Sequence, residues 1–119
     1  MPCSKNKDLP NLGDLEGLKL TLAQKVMAQY HSNDPVLLAQ QAGIRVDYAR
    51  WKPVTYGEFD RKTCTITINL NAPLSIREIL AHELGHYFTE LESPGLDKAA
   101  HEASAEAFSA TLISQTPFP

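Results

Sequence analysis

Residues 81–86 read Ala-His-Glu-Leu-Gly-His and contain the pattern His-Glu-x-x-His. On a helix, positions four apart lie on one face, one turn apart. His82 and His86 can therefore reach a single metal ion. Two neutral imidazoles suit Zn²⁺ in the open tetrahedral sites that enzymes use. Glu83 projects about 100° around the helix from His82. Its carboxylate then stands beside the metal rather than on it, where it can take a proton from a water and pass it to a leaving amine. A random chain of this composition contains the pattern about 1% of the time. The competing reading, two solvated histidines on a polar helix face, is weakened by that rarity and by the helical context.

A catalytic zinc needs a third protein ligand and one open position. The helix after the Ser93-Pro94-Gly95 turn offers His101, Glu102 and Glu106. Two helices joined by a short turn pack antiparallel, so this one can lie beside the metal. Glu102 and Glu106 are four apart and share a face. A set of two histidines and one glutamate makes Glu102 the ligand. Glu106, one turn on, can then accept a hydrogen bond from the outer nitrogen of a ligand ring, which orients the ring and raises its basicity. Glu106 or His101 as the ligand stays open as an alternative, as does a plain solvated face. Tyr56, Tyr87 and His101 are the candidates for stabilising an oxyanion, with Tyr87 also suited to the core.

The elements that must position these groups are legible in the pattern. Leu18, Leu22, Val26, Met27 and Tyr30 recur at spacings of three and four, which predicts an amphipathic helix over 18–31. Asp34-Pro35 predicts an N-cap and first helical residue, with Gly43 as the stop of a short helix. Alternation over 44–50 and β-branched residues over 63–70 predict strands, with a further strand at 55–59. Ser75 and Glu78 predict a capping box for the helix of the His-Glu-x-x-His pattern, running to about 91. A last, Ala-rich helix is expected over 96–113. Short connections imply antiparallel neighbours. The expectation is an α+β domain, a small three-stranded antiparallel sheet with helices packed on it and a zincin-like active-site helix. A tail over 1–17 precedes a single domain over 18–116. The strand at 63–70 is a candidate to accept a substrate strand at its edge.

Bulk properties bound the function. The 119 residues carry a net charge of −3, which argues against direct nucleic-acid binding. No apolar run is long enough for a membrane span or a signal peptide. Two cysteines, Cys3 and Cys64, read as free thiols in a reducing compartment, so a cytoplasmic location is expected.

Taken in order, these pieces resemble the ImmA/IrrE family of metallopeptidases. The resemblance spans 34–113. It rests on Asp34-Pro35 and Ala42-Gly43-Ile44, on Gly57-Glu58-Phe59-Asp60 and Ile66-Thr67-Ile68-Asn69, and on Arg77 with Ala81 to His86. Glu102 with Ala107 to Ile113 completes it. The family often has Asn or Asp two residues before the Phe, where this chain has Glu106. The resemblance implies that His82, His86 and Glu102 ligate Zn²⁺ and that Glu83 is the catalytic carboxylate. It further implies cleavage of a DNA-binding repressor, which relieves gene repression. The alternative function is a catalytically inactive zinc-binding module that sequesters a transcriptional regulator.

Overall fold

A computed structural model describes residues 21–114. The chain runs α1 (Leu22–Tyr30), α2 (Pro35–Ala42), β1 (Arg45–Ala49), β2 (Gly57–Asp60), β3 (Thr65–Asn69), α3 (Ile76–Glu92) and α4 (Lys98–Ser114). It is an α+β fold with four helices and one three-stranded sheet among the described residues. The expected tail over 1–17 and the outer ends of the expected domain lie outside them.

The helix boundaries follow local chemistry. Thr21 caps α1 in a reciprocal box with Gln24. Asp34 accepts from the Val36 N–H, Pro35 opens α2, and Gly43 closes it in the left-handed region, where a Cβ is disfavoured. Ser75 and Glu78 form the expected capping box of α3. Asp97 accepts from the Ala100 N–H at the start of α4.

The sheet is mixed, which corrects the antiparallel expectation. Its order is β1-β3-β2. β1 runs parallel to β3, Arg45 opposite Thr65 and Ala49 opposite Asn69. β2 runs antiparallel to β3, Gly57 opposite Ile68 and Asp60 opposite Thr65. The reason is the segment 50–56. It crosses the end of the sheet without pairing β2 to β1, and β3 then inserts between them. β3 is the central strand, and Ile66 and Ile68 are fully buried. The edge once expected of β3 is taken on both sides.

Asn69 makes this crossing possible. Its side chain is 1% exposed. Oδ1 accepts from the N–H groups of Trp51 and Asn71, at 3.0 and 2.9 Å. Nδ2 donates to the carbonyls of Lys52 and Thr55, at 3.1 and 2.7 Å. One amide thus uses both donors and both acceptor positions to satisfy a loop with no ladder of its own.

The core lies between the sheet and the helices. Phe88 and Phe108 stack with centroids 5.7 Å apart, and Leu38, Ile79, Leu80, Leu84 and Leu112 are almost wholly buried around them. Tyr87 is buried edge-on to Phe59. Burial pushes its hydroxyl up to about 12. Cys64 is also buried and disulfide-bonded, which corrects the expectation of two free thiols. Cys3 lies outside the described residues. No helix among them is long and apolar enough to cross a membrane.

Asn69→Ala should destabilise the protein by roughly 2 kcal/mol or more, because four loop groups lose their partner inside a buried site. Urea unfolding of the variant beside the parent measures this.

Candidate metal centre

α3 and α4 pack against each other across a contact that only small residues allow. A Cβ built on Gly85 would sit 2.7 Å from the carbonyl oxygen and 2.9 Å from the Cα of Ala105. Both atoms are backbone, so α4 lies directly against the α3 backbone at this point. That approach carries Glu102, three residues before Ala105, over the histidine face of α3.

The three side chains converge. Glu102 Oε1 lies 2.9 Å from His82 Nε2, and Glu102 Oε2 lies 3.2 Å from His86 Nε2. One atom from each of His82, His86 and Glu102 falls within 4.8 Å of the others, and the group could hold a metal ion. Ligands about 2.0–2.1 Å from a tetrahedral zinc stand about 3.3 Å apart, so the donor set fits with small adjustments. It contains three residues among those described, which leaves a fourth position for water in a four-coordinate site. The side chains of His82 and His86 are 29% and 25% exposed, and that of Glu102 is 48% exposed. The site is reachable from solvent.

Burial holds the His86 pKa below its ordinary value, against the opposing pull of Glu102. A neutral ring is the form that binds a metal. Glu83 is 8% exposed. Its pKa is pushed up to about 7, first by burial and then by the Glu102 and Glu58 carboxylates, with His82 acting against them. A carboxyl poised near neutrality can both take and give a proton.

Two clefts of about 270 Å³ meet at Glu83. One is lined by Tyr56, Leu74, Ile79, His82, Glu83, Glu102 and Glu106. The other is lined by Phe59, Arg61, Glu83, His86, Glu90 and His101. β2 stands over this helix, and its Gly57 matters for the distance. A Cβ there would meet Ile79 Cγ2 at 2.7 Å and Glu83 Cγ at 3.3 Å.

The remaining residues expected from sequence are placed differently from one another. Tyr56 reaches the first cleft, whereas Tyr87 lies in the core. Glu106 lines the first cleft, whereas His82 and His86 bond to Glu102 and His101. His101 turns toward His86 rather than into the metal position. Glu90 was missed. Its signal was available, since it lies one turn beyond His86 on the same helix face.

Comparison with models of protein families, with curated proteins and with solved structures found no match.

Two outcomes follow from this geometry. Gly85→Ala should force α3 and α4 apart, cost about 1–3 kcal/mol through overpacking and weaken metal binding. Denaturation and a metal titration read both effects. In metal-free protein, Glu83→Gln should be the more stable form above pH 7. A raised carboxyl pKa costs stability above its folded value and nothing below its unfolded value of 4.5. The gain should be at most about 3 kcal/mol at pH 8, at 1.36 kcal/mol per unit, and should fade as the pH falls from 7 to 4.5.

Proposed function

We propose that this chain is a zinc-dependent peptidase with Glu83 as its general base. The observation that carries the reading is a buried, proton-ready carboxylate beside a solvent-reachable group of two histidines and a glutamate. A structural zinc site has no use for such a neighbour. His82, His86 and Glu102 hold the ion. Zinc bound there supplies a Lewis acid that polarises a carbonyl and makes water more acidic. Glu83 accepts the proton from the attacking water and delivers it to the departing amine. Tyr56, at the wall of the same cleft, is the tyrosine placed to steady developing negative charge.

The substrate lies along β2. Among the described residues this strand pairs with β3 on one side only, and it runs from beside Tyr56 in one cleft to Phe59 in the other. An extended segment added to its free edge crosses Glu83 and drops alternate side chains into the two clefts. The first cleft has apolar walls from Tyr56, Leu74 and Ile79 and selects an apolar side chain. The resemblance to ImmA/IrrE metallopeptidases supports a DNA-binding repressor as the natural substrate and relief of repression as the result.

Metal analysis after mild purification should find about one zinc per chain, given three protein ligands. A chain that takes up no zinc with all three ligands intact would sink the site. Zinc-loaded protein should generate new peptide N-termini in an extract of the cells that encode it, read by mass spectrometry. Chelation should stop this, and Glu83→Gln should keep the zinc while cutting at least about 10²-fold more slowly. Cutting by Glu83→Gln at the parent rate removes Glu83 as the base. A loaded parent that binds a repressor but leaves it intact favours the sequestering module.

A further inference from the structure

One of the metal-facing rings has a support built from both helices. His86 presents Nε2 to Glu102 and Nδ1 to His101, whose own Nδ1 is 3.0 Å away. The two ring planes are 17° apart, with centroids at 5.0 Å. His101 Nε2 lies 3.3 Å from Glu90 Oε1. The His101 side chain is 18% exposed, less than either metal-facing histidine. Glu90 comes from α3, one turn beyond His86, and His101 comes from α4, next to Glu102.

We propose that His101 and Glu90 form a positioning relay for His86, an inference that rests on the zinc reading above. With Nε2 of His86 facing the metal, the ring's one proton sits on Nδ1. It donates to His101 Nδ1, which accepts only if His101 carries its own proton on Nε2. That proton then donates to Glu90. Each placement forces the next, so the chain Glu90–His101–His86 admits a single arrangement of protons. It fixes the tautomer and the angle of His86. It also passes the influence of the Glu90 charge to the ligand nitrogen, the service that a carboxylate bonded directly to a ligand ring performs. His101 is thereby engaged at both nitrogens and is not the oxyanion residue. The support falls on His86 through a second imidazole, and the role expected of Glu106 is filled by His101 and Glu90.

The relay is tested by zinc affinity, measured by chelator competition, and by the visible spectrum of cobalt-substituted protein. His101→Phe keeps a ring but breaks both links, and should weaken zinc binding about 10–100-fold and shift the cobalt bands. His101→Asn sets an amide oxygen where Nδ1 stood and should recover part of the loss. Glu90→Ala should weaken binding by less than His101→Phe, with Glu90→Gln between it and the parent. A parent that binds zinc with a His101→Phe variant within about twofold of it, and an unchanged cobalt spectrum, overturns the relay. If the parent binds no zinc, the zinc reading fails instead. Should His101→Phe not fold, Glu90→Ala decides the matter from the far end, and parent-like affinity there overturns the proposal.

Discussion

The contact between Gly85 and the backbone of Ala105 is the constraint on which the centre depends. His82 and His86 are fixed relative to each other by one helix turn. Glu102 is fixed to them only by how closely α4 lies on α3. Any side chain at position 85 would strike backbone, which cannot rotate away as a side chain can. The buried pair Phe88 and Phe108 holds the same two helices together nearby, so the core supplies the attraction and the glycine sets the distance. Dispersion and burial are insensitive to direction. The missing Cβ is what converts that general attraction into a defined position for one carboxylate.

Glu83 shows the cost of such a centre. A carboxyl enclosed by Ile79, Gly57 and the residues of the candidate centre loses hydration, and two neighbouring carboxylates oppose its ionisation. A cation held by the adjacent residues would reverse the sign of the local field. The group that strains the metal-free protein is the one that an ion would most stabilise in its charged form.

Most of the local structure was legible in the sequence because it is set by neighbours along the chain. Asp34-Pro35 with Gly43, and Ser75 with Glu78, mark helix ends that the structure reproduces. The spacing of His82 and His86 was legible for the same reason. The strand order was not. Short connections favour antiparallel neighbours in general, and nothing in residues 50–56 announces that they cross the sheet end. The device that allows the crossing is a single amide, Asn69, in a run otherwise read as strand. The Glu90–His101 link was hidden too, because it joins residues on two helices whose distance is set by Gly85.

The position of β3 between β1 and β2 also governs the order in which the sheet can form. β1 and β2 share no ladder, so among the described residues neither has a strand partner until β3 has been made. When β3 follows, it completes both ladders together, closing the chain from Arg45 to Thr65 at an entropic cost that grows only slowly with loop length. The helix bearing His82, Glu83 and His86 is made next, and α4 last. Glu102, the carboxylate of the candidate centre, lies on α4 and so follows both the sheet and α3 in the chain.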